Sequence, residues 1–134
     1  MNDLQRFLNE LRDPKVLEVE IQFVGFEVDT RSNITPGQIQ GWSKFRFIAR
    51  SSTSQIKGLV HAVAESTFAR ISHIPDIRYG VVARDSRGMV VTSLYMSELG
   101  VHGAFDGIFK GNAIKITGAL PRWLISFAKR HFTE

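Results

Sequence analysis

Residues 103–111 read Gly-Ala-Phe-Asp-Gly-Ile-Phe-Lys-Gly, an alternation of bare and aromatic positions: Gly103, Phe105, Gly107, Phe109 and Gly111. On a strand of period two these five share one face, and His102, Ala104, Asp106, Ile108 and Lys110 share the other. A glycine inside a regular element costs roughly 0.5–1 kcal/mol relative to alanine. Several in one strand need an offset: a strongly coiled sheet, a backbone packed on this face, or a ligand seated between the rings. Read this way, 101–111 is an extended, grooved surface that requires a companion, and Gly111-Asn112 turns the chain back into a strand over 113–117. A competing reading puts the turn at Asp106-Gly107, itself a strong hairpin dipeptide, and dissolves the alternating face.

Upstream of this segment, 77–84 and 89–96 alternate as two strands of a hairpin around Asp85-Ser86-Arg87-Gly88, with Gly88 suited to the left-handed position of a bulged turn. Downstream, Pro121 suits the first position of a closing helix. One side of that helix carries Leu120, Trp123, Leu124, Phe127 and His131; the other carries Arg122, Ser126, Lys129 and Arg130, late cations that complement the helix dipole. Between 53 and 72, Ile56, Leu59, Val60, Val63, Thr67, Phe68 and Ile71 form an apolar stripe at helical spacing. Ser52 or Thr53 caps it, with Gln55 closing a box from Ser52. The opposite side repeats Gly58, Ala62 and Ser66, small residues that let a second backbone come close.

The chain opens with Leu4, Phe7, Leu8 and Leu11 on one face of a short helix, capped by Asn2 with Gln5 and stopped by Asp13-Pro14. Leu17, Val19, Ile21 and Phe23 then alternate with Glu18, Glu20 and Gln22, a strand with one wet face. The apolar phase shifts to Phe26 and Val28 beyond Gly25, which indicates a bulge or strand switch near Val24-Gly25. Residues 29–41 are a polar loop tied to the surface by Ile34 and Ile39. A second strand follows, with Phe45, Phe47 and Ala49 opposite Lys44, Arg46 and Arg50.

This order of elements, α-β-β-α-β-β-β-β-α, predicts an α+β fold in a single domain over 1–134: an antiparallel sheet of about five or six strands with helices packed on it. In element order the chain resembles the small sensor and scaffold domains of the roadblock or profilin-like kind, from which its long first connection departs. The 134 residues, 43% hydrophobic and 22% charged, suffice for one core. The chain has no cysteine, which excludes disulfides, thiolate metal sites and thiol nucleophiles. Neither a secretory leader nor a run long enough to span a bilayer is read, so the expected location is cytoplasmic, without membrane contact. The net charge of +4 is spread along the chain and permits nucleic-acid binding without arguing for it.

Candidate chemistry is sparse. Glu18 and Glu20 on one strand face are better read as partners of Lys44, Arg46 or Arg50 across a ladder than as an acid–base pair. His61 and Glu65 stand one helical turn apart with no third ligand, which reads as a polar helix edge and not as a metal site. His102 and Asp106 share a strand face with Lys110, and the spacing carries no reaction logic. No G-x-S-x-G occurs, and the glycines of 100–111 fit neither a dinucleotide fingerprint nor a phosphate loop. Ser51-Ser52-Thr53-Ser54 reads as helix capping before anion binding. Lys44-Phe45-Arg46-Phe47 sends rings and charges to opposite faces, so it reads as core phenylalanines under a basic surface.

The expected function is a non-enzymatic binding or assembly protein, a homodimer associating through Gly58, Ala62 and Ser66. A site for a small apolar ligand or a protein partner is expected between sheet and helix, lined by Phe105, Phe109, Tyr79, Tyr95 and Trp123. No cofactor and no metal are expected. The alternative is a small enzyme using that aromatic pocket with a polar pair such as His102 with Asp106, or with Asp29 or Arg31 from the loop. Nucleic-acid binding stands below both.

Overall fold

The computed structural model describes residues 2–25, 34–39, 43, 45–73, 75–97 and 104–132. In chain order these contain α1 (Asp3–Leu11), β1 (Glu18–Phe23), β2 (Phe45–Arg50), α2 (Ser54–Ala64), β3 (Ser66–Arg70), β4 (Tyr79–Arg84), β5 (Val90–Ser97), β6 (Phe105–Phe109), β7 (Asn112–Gly118) and α3 (Ala119–His131). The strands form one antiparallel sheet in the order β2-β1-β4-β5-β6-β7-β3. The fold is α+β. No helix among the described residues is long and apolar enough to cross a membrane.

The glycine–phenylalanine segment is the strand β6, and the chain turns after it, not within it. Lys110 and Gly111 both take positive φ, 49° and 79°, as a two-residue hairpin turn requires, and Phe109 lies opposite Asn112. Asp106 and Gly107 instead sit mid-ladder, opposite Lys115 and Ile114. The other hairpin also turns as its sequence predicts: Gly88 has φ 79°, and the ladder shifts register between Ala83 and Arg84. Val101, His102 and Gly103 lie outside the described residues.

The second helix is shorter than its apolar stripe. It ends at Ala64, and Ser66–Arg70 becomes the edge strand β3, paired with β7 so that Phe68 lies opposite Ile116. This strand was read as helix; it is why the sheet has seven strands. Phe68 satisfies both periods, since it reaches the core from a helix stripe or from alternate strand positions. Pairing with β7, which the local sequence does not encode, selects the strand. The last helix begins at Ala119, two residues before Pro121. The first is capped as expected, with Asn2 Oδ1 accepting the Gln5 N–H at 2.8 Å.

Alternation along the strands divides the molecule into two layers of side chains. Toward the helices point Val19, Ile21 and Phe23 of β1, Tyr79 and Val81 of β4, Leu94 and Met96 of β5, Phe105 and Phe109 of β6 and Ile114 and Ile116 of β7, all buried in one core with Phe7 and Leu11 of α1. Toward the opposite face point Tyr95 and Ile108, which pack against a second, smaller cluster of Val24, Ile34, Ile39 and Ile77. Ile34 and Ile39 therefore tie their segment down, as expected; Asp76 Oδ1 accepts the Ile34 N–H at 2.6 Å, and Arg78 holds Asp76 at 2.6 Å. The face of Glu20 and Gln22, read as wet, is buried at both residues, with Arg84 of β4 pairing Glu20 at 3.2 Å. Glu18 lies opposite Arg50, as the ladder reading proposed.

Connectivity sets the helices. α2 leaves β2 at one sheet edge and delivers the chain to β3 at the other, so it crosses the sheet. α3 returns the opposite way: Leu120 at its start hydrogen-bonds Ser66 of β3, and Phe132 just past its end stacks on Phe23 and Phe45 of β1 and β2. The two helices lie side by side and antiparallel.

Candidate functional site

The five aromatic residues expected to line one pocket are divided among three environments. Tyr79, Phe105 and Phe109 are fully buried: Tyr79 stacks on Phe105 at 5.4 Å and on Phe23 at 4.7 Å, and Phe109 meets Phe7 edge-on at 5.6 Å. The glycine–phenylalanine face is thus covered within the same chain, by α1 at Phe109 and by Tyr79 of β4 at Phe105. Tyr95 faces the opposite side of the sheet, in the smaller cluster. Trp123 sits at the outer surface, between α2 and α3, half-buried.

The small-residue stripe is likewise met from within. Gly58 receives the Trp123 indole so closely that a Cβ there would lie 3.3 Å from Nε1. Ala62 is buried, and Ser66, now on β3, donates its hydroxyl to the Ala62 carbonyl at 2.7 Å while accepting the Leu120 N–H at 2.9 Å. The backbone that the stripe admits is α3. Because Ser66 lies past the helix end, the three residues do not form one helix face.

The outer side of this helix pair is unusual in charge. Neither the 11 residues of α2 nor the 13 of α3 include an aspartate or glutamate. Lys57 and His61 stand on α2, Arg122, Lys129, Arg130 and His131 on α3, and all six are exposed. None of the four cations makes an ion pair among the described residues, and neither do Arg6, Arg12, Arg50 and Lys115, whereas Lys15, Arg70, Arg78, Arg84, Arg87 and Lys110 each hold a carboxylate. What sets the helix pair apart is four such cations on two adjacent helices with no acid. Along the chain the first acid after α2 is its C-cap, Glu65.

Two shallow depressions lie along the groove, and Gly58 and Trp123 line both. One, of about 300 Å³, is closed by Gln55, Arg130 and His131; the other, of about 330 Å³, by His61, Arg122 and Ser126. A third, of about 470 Å³, flanks α2 on its far side and is lined by Arg12, Lys57 and His61 together with Asp13. The acid-free surface is therefore that of the helix pair itself. It was missed in the sequence because its members are scattered from Lys57 to His131, and only the antiparallel packing of the helices collects them.

The remaining polar candidates are local. Asp106 pairs with His73, 2.7 Å away and exposed, and this contact fastens the segment after β3 to β6. His102, Asp29, Arg31 and Lys44 lie outside the described residues. No group of three or more metal-ligating side chains occurs among the described residues, and His61 and Glu65 gain no third ligand there.

Comparison of the chain with protein-family models, curated proteins and solved structures gives no match. The likeness to roadblock or profilin-like domains accordingly rests on element order alone.

Proposed function

We propose that this chain is a non-enzymatic binding protein whose working surface is the α2–α3 groove and whose partner is a polyanion. One observation carries the reading: two adjacent helices without a single acid present four cations that make no ion pair among the described residues. Arg122 and Arg130 are two turns apart on one face of α3, about 12 Å by helical rise. That exceeds the Debye length of about 8–10 Å at ordinary ionic strength, so the two repel each other little and each can engage a separate anionic group of an extended partner. Such a surface attracts an extended anion and repels a copy of itself. A site for an apolar ligand or a reaction between sheet and helix has less support, because Tyr79, Phe105 and Phe109 occupy that space together with Phe7.

Heparin chromatography tests the reading. Arg122→Glu combined with Arg130→Glu is expected to elute at much lower salt than the parent chain. Arg6→Glu combined with Lys115→Glu, exposed positions elsewhere with the same change in net charge, is expected to elute close to the parent. Equal losses in the two variants would mean that net charge alone governs retention, and the groove would not be a site.

A second reading, self-association, is favoured by the β3 edge. β3 is outermost and pairs, among the described residues, only with β7; its one charge, Arg70, is held by Asp3 of α1 at 2.7 Å. The opposite edge, β2, exposes Arg46 and Arg50, charges of the kind that discourage edge pairing. On this reading Thr67→Pro abolishes a dimer seen by light scattering for the parent chain. A parent chain that is monomeric at 100 μM, roughly the upper range for a weak interface, removes it.

A further inference from the structure

We infer that the polyanion is a single-stranded nucleic acid whose bases stack at Trp123 and His131; the inference rests on the groove being a polyanion surface. The observation behind it is a ladder of rings along α3. Trp123, Phe127 and His131 recur every fourth residue, with centroids 5.1 Å and 4.3 Å apart and planes only 15° and 29° from parallel. Phe127 is buried and held edge-on by Phe47 at 5.0 Å, so the middle rung is fixed from beneath. The end rungs face the solvent side: Trp123 is half-buried and lines both depressions of the groove, and His131 is exposed at one end.

Each end rung has a cation as its chain neighbour, Arg122 beside Trp123 and Arg130 beside His131. Flat aromatic faces alternating with cations match what an unpaired strand offers, a π-face on every base and a charge on every phosphate. The two ring spacings of 5.1 Å and 4.3 Å from Trp123 to His131 together span at most about three stacked nucleotide steps at about 3.4 Å per strand. A duplex offers phosphates but keeps its base faces stacked within the helix, so it leaves the ring ladder without a role. An anionic membrane fits less well, since none of the large exposed apolar side chains among the described residues, Leu17, Ile48, Met89 and Val90, stands on α2 or α3. An acidic peptide would satisfy the cations and leave the rings unused.

The test is fluorescence anisotropy of the full chain with labelled 12-nucleotide oligo(dT) and oligo(rU), between 50 and 200 mM salt, against a 12-base-pair duplex, poly-glutamate and phosphatidylserine vesicles. If Arg122, Lys129 and Arg130 each engage a phosphate, the plot of log K against log salt has a slope of about −2, at roughly −0.7 per contact. Arg122→Gln with Arg130→Gln then reduces that slope by about 1.4. Trp123→Ala weakens oligonucleotide binding about 5- to 150-fold, the effect of losing one stacked base, with the slope unchanged, and Trp123→Phe restores most of the loss. His131→Ala, at an exposed position whose ring rests on Phe127 and Phe47, weakens binding in the same way, with circular dichroism reading the fold of the variant alongside. Binding of poly-glutamate, vesicles or duplex without the oligonucleotides overturns this inference and leaves the polyanion surface standing. So does oligonucleotide binding that is indifferent to both Trp123→Ala and His131→Ala. Failure to bind any of these anions removes both readings together.

Discussion

Replacing Gly107 with alanine asks whether the glycine of β6 is there for space or for conformation. A Cβ at this position would stand 2.7 Å from the Tyr95 carbonyl oxygen, 3.1 Å from Ile116 Cδ1 and 3.3 Å from Met96 Cγ. The two side-chain atoms can yield by rotation. The carbonyl cannot, because β5 is paired on both sides, with β4 and with β6, and any shift strains two ladders. Forcing a methyl group into a filled interior costs about 1–3 kcal/mol, against which alanine recovers about 0.5–1 kcal/mol over glycine in a regular element. Because the nearest atom is a fixed backbone carbonyl, the upper part of that cost applies, and the net expectation is a loss of about 1–2.5 kcal/mol, or about 4–10 °C in melting temperature for a domain of this length. Gly37→Ala is the internal control: its Cβ would meet nothing within 4 Å, and the loss of unfolded-state freedom should stabilise the chain by about 0.4–1 kcal/mol. Urea unfolding followed by circular dichroism reads both. A Gly107→Ala protein as stable as its parent would refute the close approach of β5 and β6, and with it the explanation for the alternating face.

Two further outcomes follow from particular contacts. Ser66→Ala removes the acceptor of the Leu120 N–H in the first turn of α3, where Gly118 supplies no side-chain cap. A buried donor left unpaired costs about 1–3 kcal/mol, so urea denaturation should show a lower midpoint with an unchanged m-value, and an unchanged midpoint would contradict the contact. Asp85 accepts the backbone N–H groups of Met89 at 3.0 Å and Arg87 at 2.9 Å in the β4–β5 turn, and these bonds, Met89 first, lower its pKa. A carboxyl lowered on folding stabilises fully above its unfolded pKa of about 3.9 and loses that contribution as pH falls through the folded value. Asp85→Asn should therefore melt with a flatter acid limb below about pH 4; a limb as steep as the parent's would show that the turn does not carry this titration.

Much of the fold was legible in the residues because local rules and packing agree there. Asn2 caps α1, Gly88 and Gly111 turn the two hairpins, and the alternation of β1, β2, β4, β5 and β6 follows from period two. Where local pattern permits two structures, the tertiary partner decided. Phe68 fits a helix stripe or an inward strand position, and only β7 alongside makes Ser66–Arg70 a strand. The aromatic positions show the same division. The sequence marks Phe105, Phe109, Tyr79, Tyr95 and Trp123 as apolar, but periodicity cannot say which face of which layer each will meet.

The sequence by itself determined an α+β chain without thiol chemistry and offered two turns, at Asp106-Gly107 or at Gly111-Asn112, for its Gly–Phe segment; the structure places the turn after Phe109. Only the tertiary structure decided that α1 and Tyr79 cover the Gly–Phe face, that α3 fills the small-residue stripe, and that the cations of two distant helices become neighbours. The physical reason is range: capping, turn and period act over a few residues, whereas burial and charge density depend on which surfaces the sheet order brings together.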